Sequence, residues 1–142
     1  MTAARHSMAG VLVAVAVFCL FSGHPCAGET GTATFYTPPY IPSACYGYVE
    51  QSEFLAAASE DLPWNGGGAC GKKYKVTCLS GTNLGVDVPC KEGRSVTVTI
   101  VDLCPAGCRG TIDLSAASFA EIADPDEGKI NISYEEYATY ID

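Results

Sequence analysis

Apolar and polar residues alternate over Gly31–Thr37 (GTATFYT), Tyr74–Leu79 (YKVTCL), Ser95–Leu103 (SVTVTIVDL) and Lys129–Tyr134 (KINISY), the two-residue period of half-buried strands. The third is the strongest, with Val96, Val98 and Ile100 on one face. Thr111–Leu114 reads as a further short strand. Ser52–Ser59 (SEFLAAAS) predicts a short helix capped by Ser52, and Ser115–Ala123 (SAASFAEIA) a second, with Ser115 or Ser118 near its start. Pro38, Pro39 and Pro42 impose an extended loop after the first strand. Pro63–Gly71, with three consecutive glycines, is another loop, and Ser80–Gly93 is turn-rich. Many strands with two short helices favour a closed β-barrel over a βαβ sheet. The chain shows no repeat, low-complexity tract or linker.

The first 28 residues stand apart. Arg5 opens them, Gly10–Phe21 is an unbroken apolar run, and Cys26, Ala27 and Gly28 follow as small residues. That order is the export-signal pattern, and twelve apolar residues are too few for a bilayer span of roughly 20. Residues 1–28 are therefore expected to be a removed leader, with 29–142 as one domain, secreted and not inserted in a membrane.

That division changes the chemistry. His6 and His24, the two histidines, and Cys19 and Cys26 leave with the leader. Without histidine, Ser-His-Asp and Cys-His catalysis are excluded. Six cysteines remain: Cys45, Cys70, Cys78, Cys90, Cys104 and Cys108. In an exported chain this even number reads as a disulfide framework, with 15 possible pairings. The spacing of Cys104 and Cys108 could suit zinc, but with no histidine and an oxidising compartment the reading is no metal and no cofactor. Loss of Arg5 leaves seven basic against sixteen acidic residues, a net charge of −9. That balance argues against nucleic acid as a partner.

Ile100–Ser115 (IVDLCPAGCRGTIDLS) is the densest chemical segment. It sets Asp102 at a strand end and Asp113 eleven residues later, beyond a Cys-Pro-Ala-Gly-Cys turn. Paired carboxylates serve glycoside hydrolysis, although aspartates in such places also cap turns and helix starts. Aromatic residues cluster at Phe35, Tyr36, Tyr40, Tyr46, Tyr48 and Trp64, mostly in loops, where exposed rings stack on sugars or on partner proteins. Phe35 reads as core and Tyr36 as a groove candidate. Asn131-Ile132-Ser133 is a glycosylation sequon within an expected strand.

Gly31–Tyr36, Ser43–Gly47, Asn65-Gly66 through Cys70-Gly71, Val101–Pro105 and Gly110–Ser115, taken in order, resemble the plant natriuretic peptides. These are small secreted proteins of the expansin-like, family-45-endoglucanase-like group. The resemblance covers nearly all of residues 29–142 and implies a mainly β fold, a disulfide-stapled six-stranded double-psi β-barrel with short helices. It implies the pairings Cys45–Cys70, Cys78–Cys90 and Cys104–Cys108. It carries the expansin polysaccharide-groove positions onto Thr34, Tyr36, Asp102 and Asp113, and the endoglucanase catalytic acid onto Asp113. The second catalytic aspartate of those enzymes falls at Thr37, so ordinary two-carboxylate hydrolysis lacks its base. The second, carbohydrate-binding domain of expansins has no counterpart here.

The resemblance thus implies a non-enzymatic, monomeric extracellular protein of the apoplast and cell wall, signalling in water and solute homeostasis. Its partner would be a cell-surface receptor, contacted through about Pro39–Tyr74, with Tyr40, Tyr46, Tyr48 and Trp64 as contact candidates. The alternative is a binder of cell-wall polysaccharide, or a weakly lytic relative of expansins using Asp113.

Overall fold

The computed structural model describes residues 28–137 apart from Pro63 and Gly107, so the expected leader lies outside the described residues except for Gly28. Six strands run in the order β1 (Glu29–Tyr36), β2 (Leu55–Ala58), β3 (Lys73–Gly81), β4 (Ser95–Leu103), β5 (Ile112–Ser115) and β6 (Ile130–Glu136). Among the described residues the one α-helix, α1 (Ala116–Ile122), lies between β5 and β6. The strands close into a barrel in the spatial order β1-β5-β2-β4-β3-β6. β1 pairs with β5, and β2 with β4, in parallel; the other neighbours are antiparallel.

Alternation fills the interior. Val76, Val98, Ile100, Ile112, Leu114, Ile130 and Ile132 are wholly buried, each contributing about 1.5–3 kcal/mol by leaving water. Helix α1 covers one end with Phe119 and Ile122, and the Phe119 ring packs on Phe35 at 4.8 Å between centroids. Ser115 starts the helix: its Oγ accepts from Ser118 N at 3.2 Å and donates to the Glu53 carbonyl at 2.6 Å.

The expected helix over Ser52–Ser59 is instead strand β2. All four of its residues are buried, between β4 and β5. A strand covered on both faces carries a continuous apolar run, which has no two-residue period to distinguish it from a buried helix. Helix-favouring alanine is overridden here by pairing on both edges, with β4 and with β5. Ala56 and Ala58 face the crowded core, while Ala57 faces the outside.

Disulfides join Cys45 to Cys70, Cys78 to Cys90 and Cys104 to Cys108, the pairs that the resemblance implies. Their sequence separations are 25, 12 and 4, so the first constrains the unfolded chain most and the last least.

Candidate functional site

Four adjacent strands bring the site together. Across β4, β2, β5 and β1 the register sets Asp102 opposite Ala57, Ala57 opposite Asp113, and Asp113 opposite Thr34. Asp113 lies between the buried Ile112 and Leu114, and Thr34 between Ala33 and Phe35, so both point outward by alternation. Asp102 reaches the same row differently. Strict alternation from Val96, Val98 and Ile100 would aim it at the core. A register shift between Ala56 and Ala57 skips Val101, so that Ile100 pairs with Ala56 and Asp102 with Ala57. This bulge turns the carboxylate outward.

Hydrogen bonds fix the row. Thr34 Oγ1 donates to Asp113 Oδ1 at 2.9 Å. Asp102 Oδ1 accepts from Ala44 N and Leu103 N, both at 2.9 Å, and Cys45 N donates to the Val101 carbonyl at 3.0 Å. Asp102 thereby clamps the segment behind Ser43 onto the end of β4. Gly110 packs over Thr34: a Cβ there would come within 3.0 Å of Thr34 Oγ1 and 3.1 Å of its backbone nitrogen.

Burial pushes the Asp113 carboxyl above the ordinary aspartate value, and the Thr34 hydrogen bond pulls it part of the way back. Tyr36, one turn of alternation beyond Thr34, has a buried hydroxyl with no hydrogen-bond partner among the described residues. Burial, then the charges of Asp102 and Asp113, then Tyr40, hold this phenol well above the usual tyrosine range, so it remains a neutral donor. The Tyr40 ring meets Tyr36 edge-on at 5.0 Å, and its hydroxyl donates to the Tyr36 carbonyl and accepts from Ala116 N.

Two clefts flank the row along the outward face of β2. One, of about 380 Å³, is lined by Tyr40, Ile41, Glu53, Leu55 and Val101. The other, of about 430 Å³, is lined by Ser59, Asp61, Leu103, Cys104 and Cys108. Leu55 lines the first cleft and Ser59 the second, two residues before and after Ala57, so the clefts open on either side of the row. The row itself offers a raised-pKa acid, a fixed carboxylate, a hydroxyl and an unpartnered phenol. Such a set suits a polyhydroxylated chain. The sulfurs of Cys104 and Cys108 are bonded to each other beside Asp113, so the thiolate pair that a metal would need is absent from this form.

The other candidates lie elsewhere. Tyr48 is 79% exposed, but Tyr40 and Tyr46 are half-buried, and Trp64 packs against the core. Part of the Trp64 ring is thus taken up in packing, leaving it, like Tyr40 and Tyr46, partly exposed. Asn131 Nδ2 donates to Ser80 Oγ at 3.0 Å and to the Gly81 carbonyl at 3.1 Å, so the nitrogen that would carry a glycan is already bonded. Thr37 is exposed just beyond β1. Ala57, Gly110 and the Ala44 amide were not foreseen. The alanine run was the one signal for the first.

Residues 56–134 match the family model described as lytic transglycolase. An EG45-like domain containing protein of Citrus jambhiri is 52% identical over 124 residues, 87% of this chain and 92% of that protein. The chain belongs to the EG45-like domain family. Putative EG45-like domain containing protein 1 of Arabidopsis thaliana is 50% identical over 73% of this chain and 80% of its own length. Among solved structures, this EG45-like domain is similar to a mutant expansin of Clavibacter michiganensis in complex with cellohexaose. The TM-score is 0.58 and the identity 25%, over 78% of this chain and 51% of that one. The EG45-like domain thus spans about half of that expansin. The endoglucanase Cel45A of the blue mussel Mytilus edulis shares the fold, with a TM-score of 0.54 and 20% identity over 78% of this chain and 79% of that one. The expansin-like double-psi β-barrel is the fold of this family member. Among the described residues no helix is long and apolar enough to cross a membrane.

Proposed function

We propose that this protein is an extracellular, non-hydrolytic binder of cell-wall polysaccharide, holding a β-linked glucan chain across Thr34, Tyr36, Asp102 and Asp113. The observation that carries this reading is the row of outward polar side chains on four adjacent strands, with the Tyr36 hydroxyl unpartnered beside it. A sugar hydroxyl would give that phenol the acceptor it lacks, and the carboxylates would accept from neighbouring sugar hydroxyls. The similar expansin in complex with cellohexaose supports the ligand class.

Hydrolysis is not part of the proposal. Two-carboxylate hydrolysis needs a base or nucleophile at the place after the first strand's aromatic pair, and that place is Thr37, while Asp102 serves as a clamp whose Oδ1 accepts from two backbone N–H groups. The test is co-sedimentation with cellulose and with xyloglucan, alongside an assay for new reducing ends. Saturable binding that Asp113→Asn weakens, with no reducing ends released, supports the reading. Failure of both proteins to bind would end it.

A second reading, signalling in water and solute homeostasis through a cell-surface receptor, has one observation in its favour. Tyr48 and Val49 are 79% and 63% exposed, within the segment closed by Cys45–Cys70. Exposed apolar residues on a stapled loop suit a protein contact. Swelling of plant protoplasts under the purified domain, abolished by Tyr48→Ala and unchanged by Asp113→Asn, would favour this reading over the first.

A further inference from the structure

Cys104, Cys108 and Asp113 bring three potential ligand atoms within 4.8 Å of one another. Cys104 Sγ lies 3.7 Å from Asp113 Oδ2. Zinc binds sulfur at about 2.3 Å and carboxylate oxygen at about 2.0 Å, so two such atoms on one tetrahedral ion sit roughly 3.5 Å apart. The sulfur and the oxygen already stand near that spacing. Bonded to each other, the two sulfurs are not ligands, since only a thiolate ligates metal.

That bond closes the shortest of the three loops, so opening it releases the least chain, whereas Cys45–Cys70 and Cys78–Cys90 tie longer stretches. It is also open to attack. Pro105 and Ala106 are exposed, Cys108 is less buried than Cys104, and both cysteines line the cleft of about 430 Å³. Glu60 and Asp61 line the same cleft and put further carboxylates within its walls.

We propose that Cys104, Cys108 and Asp113 form a thiol-gated metal site, closed in the disulfide form and able to take one zinc-class divalent ion once reduced. The reductant is a monothiol of the glutathione class. Its thiolate attacks the Cys108 sulfur, forming a mixed disulfide and releasing Cys104 as thiolate. A second monothiol attacks the mixed disulfide, releases Cys108 as thiolate and leaves with the first as their own disulfide. Two electrons have passed from the two monothiols to the bridge. The ion then takes both thiolates and the Asp113 carboxylate, and the protons go to solvent. The reverse exchange with the oxidised disulfide of the same monothiol class returns the two electrons to that disulfide as two monothiols, re-forms the Cys104–Cys108 bond and expels the ion. In the glucan-binding reading, on which only this consequence rests, the ion would withdraw Asp113 from Thr34 and from the row.

The site is tested without any glucan. The disulfide-bonded protein is titrated with reduced glutathione, and the freed cysteines are alkylated and mapped by mass spectrometry. Cobalt(II) then serves as the spectroscopic probe and zinc as its competitor. Cys104 and Cys108 should alkylate first, with the β-sheet circular dichroism retained. The reduced protein should bind one cobalt per chain with a thiolate-to-metal charge-transfer band that zinc abolishes. The oxidised protein and Cys104→Ser/Cys108→Ser should show no band. Asp113→Asn should keep the band and weaken affinity by roughly 10-fold, about 1.4 kcal/mol. Concerted alkylation of all six cysteines, loss of the sheet signal on reduction, absence of the band, or cobalt binding that survives the double serine substitution would each overturn the proposal.

Discussion

Thr34 on β1 donates a 2.9 Å hydrogen bond to Asp113 on β5, its register partner in a parallel pair. The bond opposes the effect of burial on the same carboxyl. Thr34→Val keeps the shape and removes the donor, so the Asp113 pKa should rise further. Carbon-detected NMR titration of the carboxyl carbon reads this directly, and an unchanged midpoint would show that the bond does not form in solution.

The raised Asp113 value also fixes the sign of a stability effect. Below the ordinary value of 3.8 the carboxyl is protonated in both folded and unfolded chains and costs nothing. As pH rises from 3.8 through the higher folded value, the unfolded chain ionises first and stability falls; above both values the loss is constant. Asp113→Asn should therefore melt higher than wild type at pH 7, with the gap closing near pH 3. A gap that widens in acid would contradict the assignment.

Ser115 holds both the first turn of α1 and the Glu53 carbonyl before β2. Ser115→Ala removes a helix cap and leaves a carbonyl short of its donor, for a loss of about 1–3 kcal/mol in denaturant unfolding. A loss of only a few tenths would mean that water or Ser118 replaces it.

Glu127 is 4% exposed, and its Oε1 accepts from Thr82 N and Asn83 N, anchoring the loop after β3. Glu127→Ala should cost about 1–3 kcal/mol. Amide exchange at Thr82 and Asn83 should accelerate far more than at Val98 in the core. Uniform acceleration across the barrel would point to global destabilisation instead.

The Tyr36 hydroxyl has no partner to lose, so Tyr36→Phe should leave stability within about 0.5 kcal/mol of wild type. If a sugar satisfies that hydroxyl, the same change should weaken glucan binding by roughly 5-fold, the equivalent of about 1 kcal/mol. Unfolding and binding measured on one preparation separate the two effects.

Strands with clean alternation were legible: Ser95–Leu103 has the bounds observed, and the others differ by a few residues at their ends. Strand β2 was not, because residues 55–58 are covered on both sides and carry no period. The outward placement of Asp102 was equally hidden, since alternation alone points it inward and the bulge that turns it depends on pairing with β2. Thr34 and Asp113 came from motif resemblance, and their contact spans 79 positions of sequence that no local pattern connects. The partial burial of Trp64 was hidden too, since no local pattern shows which part of a loop aromatic packs against the core.

Chemical-shift mapping of the labelled domain with cellohexaose tests the account most directly. The expected result is saturable shifts at the amides of Thr34, Tyr36, Ala57, Asp102 and Asp113, lost together in Tyr36→Ala. Shifts confined to Tyr48 and Val49, or no shifts at saturating cellohexaose, would contradict it.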